Sequence, residues 1–188
     1  IFKCTTAGVL TTLQSFTGTT GAVLGSASNA PLIIGQDGVL YGVTTSGPGS
    51  AGTMFKITTA GVFTSIRTFA TSTESTGPVG GLVQASDGTM YGVSAGLSSI
   101  VSGTRGAFYK YVPSTTTFTG VLLFPTSPPV YRNLVKHSDG NLYAIAANGG
   151  TGRTGGIVKF VPTTGTLTTI ASFTGSIGSL PNSLMVAS

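Results

Sequence analysis

The chain has 188 residues, of which only 7% are charged and 40% are hydrophobic, and its formal net charge is +5. Apolar residues that are interleaved regularly with small polar ones argue against a disordered chain, and no apolar run approaches the ~20 residues of a membrane-spanning helix. The basic residues are spread along the sequence instead of clustering, so we expect no nucleic-acid partner. A single cysteine, Cys4, excludes a disulfide or metal framework within these residues.

The first predicted elements, in residues 1–18, match the second half of a unit that recurs about every 50 residues. The segment Ile1-Phe2-Lys3 leads into a turn and a second strand that closes at Phe16. The same markers return three times, as Met54-Phe55-Lys56 with Phe69, Phe108-Tyr109-Lys110 with Phe124, and Ile157-Val158-Lys159 with Phe173. We therefore predict a half blade, made of the third and fourth strands of a unit. Cys4 takes a position that is otherwise apolar, and we expect it to be buried.

Three whole units follow, over residues 19–69, 70–124 and 125–173. In each, a short apolar strand is predicted at Leu32, Leu82 or Leu134, and an Asp-Gly turn comes next, because Gly accepts a positive φ. These turns are Asp37-Gly38, Asp87-Gly88 and Asp139-Gly140. The second strand carries Tyr41, Tyr91 or Tyr143. A Gly-rich loop separates it from the third strand, and a second turn leads to the fourth.

Residues 174–188 match the connection and first strand of a further unit, with the strand at Leu184-Met185. No segment shows a helical period, and Thr, Val, Ile, Tyr and Phe favour strands. The sequence thus predicts an all-β, propeller-like array of four-stranded antiparallel blades, three whole and two partial, with a β-solenoid as the alternative. The predicted core comprises Leu32, Leu82, Leu134, Leu184, Tyr41, Tyr91, Phe69, Phe124 and Phe173.

The motif D-G-x-[LM]-Y-G-V, followed by a Gly-rich loop, by [MF]-[FY]-K and by T-x-[LI]-x-[ST]-F, resembles the Gloeo/Verruco (GloVer) tandem repeat of bacterial surface proteins. Asp37 to Phe69 match it best, and the likeness extends over nearly the whole chain. One departure is Ala144, which stands where the other units have Gly42 and Gly92. The resemblance implies a propeller-like extracellular protein, and it implies no catalytic residues.

The residues offer little chemistry. Three of the four carboxylates lie in the Asp-Gly turns, where we expect each side chain to bond its own backbone. The only histidine, His137, lacks the partners of a zinc site or a catalytic triad, so we predict no cofactor, no metal and no catalytic residue. Four lysines recur in the third strands, where they could pair with a turn Asp or bind acidic glycans: Lys3, Lys56, Lys110 and Lys159.

These observations favour a non-enzymatic structural protein of the extracellular space or cell surface. Unpaired strands around Ile1-Phe2 and Leu184-Met185 are expected to pair with each other or with copies of the chain or further repeats, which would permit filaments. The alternative is a module that binds glycans or other ligands through loops such as 94–105. A propeller lyase or hydrolase is the third hypothesis.

Overall fold

The computed structural model describes residues 1–26, 30–69, 77–94, 107–123, 131–147, 154–174 and 184–185. The described residues form fourteen β-strands, and their only helical element is one 3₁₀ turn, Pro48–Ser50. Every strand-to-strand pairing is antiparallel and joins neighbours in the chain. The all-β fold predicted from the sequence is therefore confirmed.

The strands form one two-stranded sheet and three four-stranded sheets. We call the first the N-terminal hairpin; it contains β1 (Phe2–Cys4) and β2 (Leu10–Thr12). Blade 1 contains β3 (Ile33–Ile34), β4 (Leu40–Thr44), β5 (Thr53–Ile57) and β6 (Phe63–Thr68). Blade 2 contains β7 (Val83–Gln84), β8 (Met90–Ser94), β9 (Ala107–Val112) and β10 (Thr117–Leu123). Blade 3 contains β11 (Tyr131–Lys136), β12 (Leu142–Ala146), β13 (Gly156–Val161) and β14 (Thr166–Ser172).

The blades pack face to face, because alternate side chains of each strand point to opposite faces of a sheet. Tyr41 and Met54 of blade 1 pack in one cluster with Tyr109 and Tyr111 of blade 2. A second cluster joins the opposite face of blade 2 to blade 3, through Tyr91, Val93, Phe108, Leu134, Leu142, Ala144, Val158 and Phe160. Each whole blade thus shares a core with its neighbour, which is how stacked repeats bury apolar surface that one sheet alone leaves exposed.

The core residues predicted from the sequence divide according to what covers them. Five are buried, as expected: Tyr41, Tyr91, Phe69, Leu82 and Leu134. Leu32, Leu184 and Phe173 are only half-buried, which corrects the prediction, and Phe124 lies outside the described residues. Leu32 differs from Leu82 because it lies on the face of blade 1 that looks toward the two-stranded hairpin, whereas Leu82 is covered by a complete blade.

The prediction for Cys4 was also wrong, because its side chain is exposed. The residues at the same position in the whole blades are buried, and they are Ile57, Tyr111 and Phe160. Two of them, Tyr111 and Phe160, pack against the tyrosine of the preceding blade. Cys4 is exposed because no preceding blade lies against β1 in the described part of the chain.

A β-bulge lies at the same place in each blade, and the sequence reading missed it. The pairing of the third and fourth strands skips one residue each time, namely Ile66, Val121 and Ile170. The signal in the sequence was an extra apolar residue that interrupts the alternation of side chains along each fourth strand. The bulge turns Ile66 onto the cluster between blades 1 and 2. Its counterpart Ile170, on the outer face of blade 3, is 51% exposed.

Candidate functional site

The three Asp-Gly turns are built alike and join the first and second strands of their blades. In blade 1 the Gly38 amide donates to the carbonyl of Gly35, and Gly35 in turn donates to Val39. The glycines have the positive φ that was predicted, 74° at Gly38, 84° at Gly88 and 81° at Gly140. Since Asp37 is not among the residues with positive φ, this is a three-residue loop in which a left-handed Gly follows an ordinary turn.

The Asp side chains bond their own turns, as expected. In each turn, Asp Oδ1 accepts a hydrogen bond from the backbone amide two residues further along the chain. Val39 donates to Asp37 at 3.1 Å, Thr89 to Asp87 at 2.9 Å and Asn141 to Asp139 at 2.9 Å. Such local bonds are why Asp is favoured in turns.

A second bond accounts for the tyrosine that follows the turn in blades 1 and 3. The Tyr41 hydroxyl donates to Oδ2 of Asp37 at 2.7 Å, and Tyr143 donates to Asp139 at 2.8 Å. Burial, and then the bond to Asp37, raises the pKa of Tyr41, so this phenol stays protonated and keeps donating. Both oxygens of Asp37 are therefore engaged. The constant spacing of the motif was the signal for this bond, which the sequence reading did not assign.

Two glutamines connect the turns of blades 1 and 2. The side-chain carbonyl of Gln84, in β7, accepts the backbone amide of Gln36 at 2.9 Å, while its Nε2 donates to the carbonyl of Gly88 at 2.9 Å. Gln36 donates in return to the carbonyl of Ser86 at 3.4 Å. Neither glutamine belongs to the repeated motif, so the repeat pattern gave no reason to single them out.

A cavity of about 300 Å³ opens between these two turns. Its lining includes two glutamines and two aspartates, and consists of Gln36, Asp37, Gln84, Asp87, Gly88, Val112, Pro113 and Ser114. The fixed carbonyls, amides and carboxylates of such a surface could accept and donate hydrogen bonds to a neutral, hydroxyl-rich ligand.

The lysine row lies beside the tyrosines. In the third strands of blades 1 to 3, Lys56, Lys110 and Lys159 are the cross-strand partners of Tyr41, Tyr91 and Tyr143 respectively. In the N-terminal hairpin, Lys3 donates instead to the carbonyl of Thr59 in blade 1 at 3.4 Å. The possible pairing with a turn Asp is observed in blade 3, where Lys159 Nζ lies 3.8 Å from Asp139 Oδ2.

Blade 3 adds a histidine to this arrangement. His137 Nδ1 lies 3.2 Å from the backbone amide of Asp139, and a neutral imidazole accepts a hydrogen bond from this amide. The same nitrogen lies 3.1 Å from Asp139 Oδ1, and a protonated imidazole donates to this carboxylate oxygen. Hydrogen bonds from Asn141, and then from Tyr143 and His137, hold the pKa of Asp139 well below its usual range. The cluster is solvent-exposed, so its ion pairs contribute little to stability.

The two candidate assembly segments are not brought together in the described residues. The N-terminal amine of Ile1 donates to the carbonyl of Gln14 at 2.6 Å, within its own hairpin. Leu184 and Met185 form no strand; the Leu184 carbonyl accepts from Asn133 at 3.0 Å. Both residues line a groove of about 320 Å³ on the outer face of blade 3, together with Val135, His137, Tyr143, Ile157 and Ile170.

The described residues hold no group of three His, Cys, Asp or Glu side chains close enough to bind a metal ion. The same part of the chain contains no helix with the length and hydropathy to cross a membrane.

Comparison with known proteins identifies the repeat and the fold. The model of the Gloeobacter/Verrucomicrobia repeat matches residues 1–188. None of the curated proteins matches the chain. Among solved structures, a gluconolactonase candidate aligns with a TM-score of 0.51 at 14% identity, over 74% of this chain and 47% of that one. The GH74 enzyme of Niastella koreensis aligns with a TM-score of 0.52 at 24% identity, over 76% of this chain and 21% of that one.

Both structures are of the propeller type, and at these identities the likeness shows the fold alone. The chain spans about half of the first structure and about a fifth of the second, as the covered shares of 47% and 21% indicate. The observed blades are therefore propeller blades, and the propeller-like array expected from the sequence is confirmed.

Proposed function

The chain belongs to the Gloeobacter/Verrucomicrobia repeat family, and from this premise we propose that it is a non-enzymatic propeller module of the cell exterior, whose blades stack into a structural scaffold. The scaffold grows when further blades, carried by another copy, pack against the two end faces of the array. Gly, Ser and Thr in place of charges, and a single cysteine, agree with a surface-exposed repeat protein.

The observation that carries this proposal is the match between the end faces and the interfaces inside the array. Inside, the tyrosine of one blade packs against a third-strand residue of the next, Tyr41 on Tyr111 with ring centroids 6.3 Å apart. At the ends, Tyr143 on the outer face of blade 3 corresponds to Tyr41, and the exposed Cys4 corresponds to Tyr111.

Exposed apolar side chains lie on the same two faces as Cys4 and Tyr143. On the hairpin face, Phe2 is 68% and Leu10 is 66% exposed, and on the blade 3 face Ile170 and Met185 are exposed. Exposed apolar patches of this kind mark interaction surfaces. Head-to-tail packing of one face on the other would repeat the internal interface and generate a filament if the rotation does not close.

The geometry of the acidic groups supports a non-enzymatic role. A glycoside hydrolase needs one carboxylic acid that donates a proton and a second carboxylate that acts as nucleophile or base. Here the turn carboxylates accept backbone amides, and Asp37 and Asp139 accept a tyrosine hydroxyl as well. Carboxylates held this way stabilise turns.

Cross-linking tests the head-to-tail arrangement directly. In a Tyr143→Cys variant, the new thiol on one copy should lie near the native Cys4 of the next, so a short bis-maleimide reagent should give a ladder of covalent oligomers. A Thr163→Cys variant is the matched control, because Thr163 is exposed in the β13–β14 turn of the same blade but lies off the packing face. Light scattering and electron microscopy of the unmodified protein should show concentration-dependent growth.

The proposal fails if the chain stays an 18.8 kDa monomer at high concentration and the two cysteine variants cross-link equally. Turnover of gluconolactone by the purified chain, abolished by Asp37→Asn, would contradict the non-enzymatic assignment.

A second candidate function, ligand binding, is favoured by the cavity between the turns of blades 1 and 2. Its lining of two carboxylates and two side-chain amides suits a neutral glycan. A glycan array would test it, with Asp87→Asn as the variant expected to lose binding. The loop 94–105, which the sequence suggested as a binding loop, lies almost entirely outside the described residues.

A further inference from the structure

The cavity between the turns of blades 1 and 2 has polar groups of two kinds, those already bonded within the protein and those that can still bond a ligand. The side-chain amides of Gln36 and Gln84 are of the first kind, because they bond backbone groups of the two turns. Asp87 accepts the Thr89 amide at Oδ1, and its Oδ2 accepts no bond from the described residues. The hydroxyl of Ser114 likewise makes no hydrogen bond within that part of the chain. A ligand therefore meets a free carboxylate oxygen and a free hydroxyl.

The aspartates of this cavity also differ in charge balance from the aspartate of blade 3. Lys159 Nζ lies 3.8 Å from Asp139 Oδ2, and His137 Nδ1 lies 3.1 Å from Oδ1. Neither Asp37 nor Asp87 forms an ion pair with a described basic residue, and the lining of the cavity contains no Lys, Arg or His. The cavity thus presents two carboxylates for which the described protein supplies no counter-ion.

Another part of the lining is apolar and comes from the turn between β9 and β10. Val112 and Pro113 are half-buried there, and the exposed Ser114 follows them. A pyranose ring has a face of C–H groups and an edge of hydroxyls, so it suits a cavity that combines apolar and polar groups. The volume of about 300 Å³ is at the lower end of small-molecule sites, which suits one sugar residue of a chain.

We propose that this cavity binds an amino sugar, whose ammonium group pairs with the carboxylates of Asp37 and Asp87 while its hydroxyls bond Ser114. The site rests on the ligand-binding function proposed for the same cavity, and it gives the ligand a positive charge because a neutral glycan leaves both carboxylates without a counter-ion. Each carboxylate oxygen has a second lone pair, so the bonds inside the turns leave Asp37 able to accept from a ligand as well. Hydrogen bonds from an ammonium to a carboxylate are stronger than those between neutral groups.

Calorimetric titration of the full chain with two sugars tests the charge of the ligand. One is the linear trisaccharide of glucosamine at slightly acidic pH, where its amines are protonated, and the other is its N-acetylated form, which has the same backbone without the charge. The glucosamine trimer should bind saturably, and the N-acetylated trimer about tenfold more weakly. Added salt should weaken binding of the charged trimer only, since salt screens charge pairs at exposed sites.

Charge removal in the protein locates the contact. Asp37→Asn and Asp87→Asn keep a side-chain oxygen for the amide two residues on, so the turns should persist and the melting temperatures should confirm folding. Each variant should bind the glucosamine trimer about fivefold more weakly, the size of an exposed ion pair, and the N-acetylated trimer as before. Asp139→Asn is the matched control, because it removes the same motif residue outside this cavity and should leave both affinities unchanged.

The outcomes separate the amino sugar from ligand binding in general. Equal affinity for the two trimers overturns the amino sugar and leaves ligand binding intact. If neither trimer binds, the amino-sugar site is wrong, and if the glycan array is negative too, the ligand-binding function is wrong as well. A trilysine peptide that binds as tightly as the glucosamine trimer overturns the sugar in favour of a basic peptide. An Asp139→Asn variant that loses as much affinity as Asp87→Asn overturns the assignment to this cavity.

Discussion

Replacing Gly92 by alanine has two opposing effects on the stability of the fold, one through the backbone and one through side-chain packing. In a strand, glycine is less stable than alanine by about 0.5–1 kcal/mol because its unfolded backbone is freer. Gly92 has an ordinary strand φ, so the backbone alone predicts that Gly92→Ala stabilises the protein. The side-chain environment predicts the reverse, because the added Cβ would overlap the ring of Tyr109, with Cε2 at 2.6 Å.

The ring has little room to yield. Tyr109 is buried and packed against Phe69 and Phe118, with centroids 5.3 Å from each. Overpacking of a well-filled core costs typically about 1–3 kcal/mol, which exceeds the backbone gain. We therefore expect Gly92→Ala to lower the free energy of unfolding by about 1–2 kcal/mol after the two effects are combined.

Urea denaturation measures this change, and blade 3 provides the matched control. Tyr109→Val should remove the clash. The free energy of unfolding of the Gly92→Ala/Tyr109→Val double variant should therefore exceed the value expected from adding the two single effects, by about 0.5–3 kcal/mol as for other contacting pairs. Ala144→Gly, opposite the smaller Val158, should cost only the backbone difference and a small loss of packing. A Gly92→Ala protein more stable than the native chain would refute the reasoning, as would strict additivity with Tyr109→Val.

Two further predictions concern the turns. Gly38→Val should destabilise the chain by about 1–2 kcal/mol, which is the penalty of placing a residue with a side chain in the left-handed region, because φ is 74° at Gly38. The control is Gly120→Ala, since the space around Gly120 is equally open but its φ is not positive. This control should show no such loss in the same denaturation series. The folded pKa of Asp139 lies below its unfolded value, so its carboxylate stabilises the fold above about pH 4 and loses this contribution as the pH falls further. Asp139→Asn should therefore flatten the acid side of the stability–pH profile, and a slope identical to that of the native chain would show that these hydrogen bonds do not stabilise the fold.

The sequence allowed the strands to be placed closely, because each boundary is marked by a local preference. The predicted third-strand markers Phe108-Tyr109-Lys110 and Ile157-Val158-Lys159 lie within β9 and β13. The left-handed φ of three turn glycines followed from the Asp-Gly dipeptides. Burial was harder to predict. Cys4 and Leu32 occupy positions that are apolar in every unit, but their exposure depends on which blade lies beside them, and that is a tertiary property.

The candidate site was predictable only in the parts that repeat. The bond from Tyr41 to Asp37 lies within one motif, so its spacing is visible in the sequence. The bond from the Gln36 amide to Gln84 joins two units at positions that differ between blades, and no period reveals it. For the same reason Ala144 looked like a departure from the family pattern until the register placed the smaller Val158 opposite it.

The positions that differ between blades are the ones that can fix the order in which blades stack. The first-strand residue three positions before the turn Asp is Ile34 in blade 1, Gln84 in blade 2 and Lys136 in blade 3. Gln84 accepts a hydrogen bond from the turn of the preceding blade. Isoleucine and lysine lack a side-chain acceptor, so neither could make this bond to the Gln36 amide. Repeated residues thus build each blade, while Gln84, at a variable position, bonds the turn of the neighbouring blade.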